Sequence, residues 1–380
     1  MAAVAALVLC GGFADGATAA EASVPRTLAQ SATVGAGPVR SARPIDFLGV
    51  VWRGPRRDGG AVRFGRAGNW GRWLPLHASD VQPRDGAAAE LVAAHRASAY
   101  QVRAPAGARN LRAVAINTTD GSPQPAAPRS AESGDALGWS GLCYRSRAAW
   151  GADESLRFDS SGNPREAPQY FPVQRLTVHH TVIDDGGDPA AAVRAIYRYH
   201  TVDLGWADIG YQLLIDKQGC IYEGRYSGTD PIPVYDGPPV PGAPPRAVNG
   251  AHVLGFNVGN VGVALLGNFE QAEPAPDALR SLTYALAGLS IVSGLDPKGY
   301  GTYVNPVTGA TRDTYVISGH RDWLATECPG ERLYARLPEL REQVAGLVGV
   351  LRPAPDYAAG AGAPGTGYTA SSASSSKSSA

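Results

Sequence analysis

The spacing of apolar residues divides this chain into a strand-rich first part and a mixed second part. Between residues 44 and 118, short runs alternate apolar and polar positions, as in Leu111-Arg112-Ala113-Val114-Ala115-Ile116, and Gly- and Asp-rich turns separate them. Such alternation with frequent turns is typical of antiparallel strands. We therefore predict a small β-rich, sandwich-like domain over residues 44–118.

From residue 138 the pattern changes to alternating strands and helices. The run Val261–Leu266 is almost continuously apolar, which favours a strand in the centre of a sheet. Helical periodicity follows Asp188 and Asp277, each placed as a cap, and returns over Leu333–Leu351. Residues 138–351 are thus expected to form an α/β (α+β) domain, a mixed central sheet flanked by helices.

Several segments are expected to lie outside the two domains. Residues 1–20 are apolar and end in small residues, which is typical of a secretory signal peptide, and no later run is long enough to span a bilayer. Small polar residues predict linkers at 21–43 and 119–137, and a disordered tail at 352–380. The Pro-rich segment 226–250 is predicted to be a long loop at the rim of the site.

Composition narrows the possible partners. The chain has 380 residues, of which 44% are hydrophobic and 18% charged, with a net charge of zero. A folded body is expected, and the absence of a basic excess argues against a nucleic-acid partner.

The cysteines carry information if the chain is exported. Removal of residues 1–20 would leave Cys143, Cys220 and Cys328, an odd number in an oxidising compartment. A Cys143–Cys220 disulfide with Cys328 on a metal would satisfy all three, and the alternative is three buried free thiols.

His179, His320 and Cys328 are the candidate metal ligands, because each lies at the end of an apolar strand-like run or in a loop just after one. Two imidazoles and a thiolate suit zinc, and a set of three protein ligands leaves a position for water. Side chains alternate along a strand, so only one of His179 and His180 can face a given cleft. The same residues also allow a hydrolase in which Cys328 is the nucleophile.

Ordered motifs across residues 138–350 resemble those of the type 2 N-acetylmuramoyl-L-alanine amidases and peptidoglycan recognition proteins. They are Ser146-Arg147-Ala148-Ala149-Trp150-Gly151, Leu176-Thr177-Val178-His179-His180-Thr181, Gly205-Trp206-Ala207-Asp208-Ile209-Gly210-Tyr211, Ile221-Tyr222-Glu223-Gly224-Arg225, Gly250-Ala251-His252, Gly255-Phe256-Asn257, Val261–Phe269 and Ser318-Gly319-His320-Arg321-Asp322 with Cys328-Pro329-Gly330. The region 44–118 has no counterpart in the minimal amidase and resembles the extension of exported actinobacterial relatives.

The resemblance assigns roles to individual residues. It implies Zn²⁺ on His179, His320 and Cys328, and catalytic roles for Tyr211 and Thr326. The expected substrate-binding residues are His180, His200, Arg225, His252 and Asn257; Arg225 would pair with a stem-peptide carboxylate.

The function implied by the resemblance is zinc-dependent hydrolysis of the amide between N-acetylmuramic acid and L-alanine. The expected partner is peptidoglycan, both glycan strand and stem peptide, and the expected location is secreted or at the cell wall. The alternative is a recognition protein that binds peptidoglycan without cleaving it. Because such members commonly have a non-ligand residue at the position of Cys328, its presence favours an enzyme.

Overall fold

The computed structural model describes residues 23–55, 59–79, 87–89, 91–125, 137, 139, 141–183, 187–229, 232–240 and 242–351. The predicted signal peptide, the predicted tail and most of the predicted 119–137 linker lie outside these residues. No helix in the described ranges has both the length and the apolar character needed to cross a membrane.

The N-terminal region is built from antiparallel strands. They are β1 (Ser23–Pro25), β2 (Leu28–Thr33), β3 (Val39–Arg53), β4 (Gly60–Arg66), β5 (Asn69–Trp70), β6 (Leu74–Leu76), β7 (Ala87–Ala88), β8 (Val92–Arg103), β9 (Arg109–Asn117) and β10 (Pro123–Pro125). Strands β2 to β9 form one eight-stranded sheet. The expected β-rich region is present, but its strands are hydrogen-bonded into one sheet, not two. Register shifts between β3 and β8 interrupt the ladder, and such bulges let a sheet bend around its own core.

The predicted linker at 21–43 was wrong as a description of local structure. Strand β2 pairs with β9, and β1 pairs with β10, so the chain from Ser23 is already part of the β-structure. Strand β2 has a single neighbour at the edge of the sheet. An edge strand exposed on one side needs few large apolar residues, which is why its sequence looks like a linker.

The second part contains a mixed six-stranded sheet. Its strands follow the order β11-β15-β14-β17-β13-β20, and two-stranded sheets β12–β16 and β18–β19 accompany it. Their bounds are β11 (Tyr144–Arg145), β12 (Tyr170–Pro172), β13 (Arg175–His180), β14 (Leu213–Ile215), β15 (Ile221–Glu223), β16 (Arg246–Val248), β17 (Asn260–Leu265), β18 (Tyr300–Val304), β19 (Thr311–Tyr315) and β20 (Ile317–Gly319). The predicted apolar strand, β17, is central and fully buried. Cys143 and Cys220, beside β11 and β15, form a disulfide.

Helices cover both faces of this sheet. They are α1 (Arg147–Trp150), α2 (Pro189–Arg198), α3 (Pro276–Ser293), α4 (Glu331–Ala335) and α5 (Leu337–Leu351), with a π-helical turn at Tyr199–Asp203 directly after α2. Asp188 caps α2 as predicted, its carboxylate accepting from the Ala191 N–H at 3.1 Å. The cap of α3 is Ala275, with Asp277 inside the first turn, because Pro276 takes the first helical position.

Aliphatic residues join α3 and α5 to one face of the sheet, where Leu282, Leu286, Leu340 and Val344 share a core with β13 and β17. Ile232, Val234 and Tyr235 from the Pro-rich segment belong to the same core. The middle of this segment was predicted to rim the site and instead packs beside α3, because its apolar side chains are buried there.

Candidate metal centre

Two neighbouring parallel strands bring the predicted ligands together. Strands β13 and β20 pair with Val178 opposite Gly319, so His179 and His320 follow at the same end of the sheet. Their ring centroids are 4.6 Å apart. Cys328 returns from the following loop, and the candidate ligand atoms of His179, His320 and Cys328 all lie within 4.8 Å of one another. All three side chains are buried.

Adjacent histidines on β13 have different surroundings, as strand alternation requires. His179 lies in the ligand cluster. His180 lies near Phe269, whose backbone N–H donates to His180 Nδ1 at 3.3 Å. Burial, with smaller effects of Arg321 and His77, lowers the pKa of His180 to about 3, so its imidazole is neutral.

A chain of hydrogen bonds orients the ring of His179. The carbonyl oxygen of Asn260 lies 3.0 Å from His252 Nε2, and a carbonyl only accepts, so that nitrogen carries the proton. His252 Nδ1 is then an acceptor for His179 Nε2, 2.9 Å away. Burial lowers the pKa of His252 to about 4, which keeps this ring neutral. His179 Nδ1 therefore keeps its lone pair, and it lies 3.6 Å from Cys328 Sγ.

The structure does not support direct substrate binding by His252, because both of its ring nitrogens are engaged. Its ring packs so closely on β17 that a Cβ at Gly262 would lie 2.6 Å from it. Asn257 also has a local task, since its Oδ1 accepts from the backbone N–H groups of His252 and Val253. His252 thus orients the ring of His179, and Asn257 orients the backbone at His252.

Two hydrogen bonds from backbone N–H groups position Cys328 and its loop. The His180 N–H points to Cys328 Sγ at 3.4 Å, which favours a thiolate. The Thr326 hydroxyl oxygen accepts from the Cys328 N–H at 3.0 Å, so Thr326 shapes this loop. Among the described cysteines Cys328 alone is outside a disulfide.

Tyr211 lies beside the cluster, with its ring centroid 5.3 Å from that of His179. Its loop is fixed by a buried ion pair, in which Arg147 Nη1 meets Asp208 Oδ1 at 3.1 Å. Arg147 also donates to the Gly224 carbonyl, and Asp208 accepts from the Tyr226 N–H. A buried ion pair with further hydrogen bonds keeps this loop in one conformation, and that conformation sets the position of Tyr211.

His200 and Arg225 are close to the cluster but buried. His200 Nδ1 accepts from the Gly210 N–H at 3.1 Å, and the ring lies against Trp206. Burial, with a smaller effect of Arg225, lowers the pKa of His200 to about 3. Arg225 is 8% exposed and lies 3.8 Å from a carboxylate oxygen of Glu166. Substrate contacts by these two residues stay predictions.

Two features of the site were not predicted from the sequence, namely the role of His252 and the Arg147–Asp208 pair. One signal pointed to the first, because Gly262 interrupts an otherwise aliphatic central strand. A glycine there often marks close approach of another group. The second had no local signal, since the partners are 61 residues apart.

Comparisons with known proteins point to one family. A family model described as N-acetylmuramoyl-L-alanine amidase matches residues 169–331. The human N-acetylmuramoyl-L-alanine amidase is 32% identical over 169 residues, which are 43% of this chain and 23% of that protein. This chain thus spans about a quarter of the human protein. The peptidoglycan-recognition protein SC2 of Drosophila simulans is 30% identical over 162 residues, covering 41% of this chain and 68% of that one. The solved structure of Drosophila PGRP-LB is 26% identical with a TM-score of 0.37, covering 51% of this chain and 91% of that one.

Proposed function

Because this chain belongs to the family of N-acetylmuramoyl-L-alanine amidases and peptidoglycan recognition proteins, we propose that it is a zinc-dependent peptidoglycan amidase. It hydrolyses the amide bond between N-acetylmuramic acid and L-alanine. The observation that carries the proposal is the convergence of His179, His320 and Cys328, whose ligand atoms lie within 4.8 Å of one another.

The donor set fits zinc. Two imidazoles and one thiolate are zinc ligands, and three protein ligands are typical of catalytic sites. Burial, followed by the neighbouring His320, His252 and His180, lowers the pKa of His179 well below its usual range, which leaves the neutral form that can ligate. When bound, zinc would polarise the scissile carbonyl and lower the pKa of a coordinated water.

The surrounding residues orient the ligands and stabilise charge. The Asn260–His252 chain presents His179 Nδ1 to the metal position. The proposed role of the Tyr211 phenol, whose ring lies beside His179, is to donate to the amide oxygen as negative charge develops there. One such donor typically contributes about 3 kcal/mol to the transition state. Thr326 is proposed as a second polar group at the same oxygen.

Two other functions are alternative results of the experiment described below. Several relatives are named peptidoglycan recognition proteins, so binding without cleavage is one. A thiol nucleophile is the other, because Cys328 Sγ lies 3.6 Å from His179 Nδ1. That distance is also the one expected between two ligands of one metal.

We also propose that the protein is exported and acts at the cell wall, with residues 1–20 as a signal peptide. The Cys143–Cys220 disulfide supports this location, because disulfides persist in oxidising compartments. The proposed organisation is the β-rich region followed by the amidase domain at 138–351.

The experiment compares zinc-loaded wild type with Cys328→Ser on purified peptidoglycan, with products identified by mass spectrometry. The amidase proposal expects stem peptides with free N-terminal alanine from wild type only. Zinc-loaded protein that binds peptidoglycan and releases no such peptide would establish recognition alone. Activity that survives complete chelation of zinc would exclude the metal mechanism, and its loss in Cys328→Ser would then point to the thiol mechanism.

A further inference from the structure

The N-terminal β-region is docked directly on the amidase part. Phe47, Leu91 and Ile116 share one hydrophobic core with residues of α2 and with Tyr211. Tyr199 passes between the two parts, and its hydroxyl donates to the carbonyls of Ala89 at 3.0 Å and Val50 at 3.3 Å. Its ring occupies the space above Gly49, where a Cβ would approach within 2.2 Å.

Charged groups reinforce this docking. Arg112 Nη1 pairs with Asp203 Oδ1 at 3.1 Å, and its Nη2 donates to the Asp203 carbonyl. Arg194 donates to the Thr118 carbonyl at 3.4 Å. These contacts fix the β-region against the amidase part, where it forms a wall beside the residues around the metal centre.

A cleft of about 250 Å³ opens between this wall and the loops that follow the ligand strand. Val182 lies three residues after His179, and Asn268 lies three after Leu265, which pairs with His180. The cleft therefore lies at the ends of the strands that carry His179 and His180. Its lining includes Leu74, His77, Leu91, His95, Val182 and Asn268.

Two lining residues have unusual backbones. Val182 has φ 60° and His95 has φ 47°, in the left-handed region that a β-branched residue like valine rarely adopts. His95 lies in a bulge of β8, where Arg66 donates to the carbonyls of Ala94 and His95. Strained residues and bulges concentrate at functional sites when their surroundings hold them in place.

The chemistry of the cleft selects a class of ligand. Its aliphatic residues alternate with two imidazoles and one amide, and no Asp, Glu, Lys or Arg is among the described lining residues. A stem-peptide carboxylate would require a cationic partner. A sugar ring has apolar C–H faces and neutral polar edges, which such a lining suits.

We propose that this cleft is a glycan subsite, which binds the neutral N-acetylated sugar that adjoins, along the peptidoglycan strand, the N-acetylmuramoyl unit with the scissile amide. The subsite rests on the proposed amidase function. Residues from the β-region supply most of its lining, so this region takes part in substrate selection.

The test fills the cleft with His77→Trp and removes its imidazole with His77→Ala. The matched control is Gln30→Trp, which places the same side chain on exposed strand β2 at the opposite edge of the sheet. With zinc-loaded full-length protein, we expect His77→Trp to raise KM for glycan-chain substrates about tenfold, with kcat unchanged. His77→Ala should raise KM less, and both should leave cleavage of a single N-acetylmuramoyl-peptide unaltered.

Equal effects on both substrates, or none, would overturn the subsite. A second measurement does not depend on catalysis, namely binding of soluble N-acetylglucosamine oligomers by calorimetry. We expect binding by wild type and Gln30→Trp, and loss in His77→Trp. If the wild type cleaves no substrate, this binding still supports the subsite while the amidase proposal fails, whereas binding that His77→Trp retains refutes the subsite.

Discussion

On one face of the central sheet, α3 and α5 pack against β13 and β17 through aliphatic side chains, whereas the other face carries buried imidazoles. Leu282, Leu286 and Val344 belong to the first face. His179 and His252 belong to the second, where each hydrogen bond fixes the role of the next ring. The aliphatic face contributes burial, which is non-directional, while the imidazole face contributes directed donors and acceptors. A substitution should therefore affect stability on the first face and metal binding on the second.

The largest contrast is expected between the adjacent residues His179 and His180. His179→Ala removes a proposed ligand, so we expect loss of zinc and a fall in activity of at least about 10³-fold. His180→Ala should keep its zinc and lose about 1–3 kcal/mol of unfolding free energy, because the Phe269 N–H loses its acceptor. Zinc analysis and urea unfolding of both variants provide the measurements. Loss of zinc in His180→Ala alone would invert the assignment.

The aliphatic face is tested by Leu286→Ala. Leu286 lies on α3 and is fully buried, so its truncation should cost about 2–5 kcal/mol of unfolding free energy. The zinc content of the folded variant should equal that of wild type. Urea unfolding of the zinc-free proteins measures the first effect without a contribution from metal binding. A folded Leu286→Ala protein without zinc would show that the two faces are coupled.

This contrast also explains what could be predicted from the sequence. The strands and helices around Val261–Leu266 and Leu282 follow local periodicity, and their expected type agrees with the structure. The linker at 21–43 was wrong because an edge strand such as β2 carries little apolar periodicity. The buried position of Tyr235 depended on a distant helix, which no local pattern encodes.

For the candidate site, residue types and their positions relative to apolar runs indicated the ligand cluster, and strand alternation indicated that only one of His179 and His180 belongs to it. The position of His252 behind His179 was not predictable from spacing, because their 73-residue separation closes only when the sheet forms. Docking of the β-region was missed for a similar reason. The sequence shows two patterns separated by a Pro- and Ser-rich segment, and the contact depends on Tyr199 meeting Gly49.

A smaller effect is expected at His252, whose Nδ1 accepts the hydrogen bond from His179 Nε2. His252→Phe removes the acceptor of His179 Nε2. Loss of such an orienting partner typically weakens metal affinity by roughly 10–100-fold. His252→Gln retains an acceptor oxygen and should recover part of that affinity. Zinc competition with a chromogenic chelator gives the comparison. Unchanged affinity in His252→Phe would show that His179 is oriented by the strand alone.

The smallest expected effect concerns acid stability, which should distinguish the two faces without touching a ligand. Burial holds the pKa of His200 at about 3 in the folded state, whereas an unfolded histidine titrates near about 6.5. The unfolded state therefore takes up the proton first, so the stability from neutral His200 is complete above about pH 6.5 and is lost as the pH falls towards the folded value. His200→Asn keeps an acceptor for the Gly210 N–H and should flatten the dependence by up to about 1.4 kcal/mol per pH unit. His95→Asn changes an exposed histidine at a backbone position that asparagine tolerates, and serves as the control. Parallel slopes for wild type and His200→Asn in urea unfolding between pH 7 and 4 would mean that folding does not lower the pKa of His200.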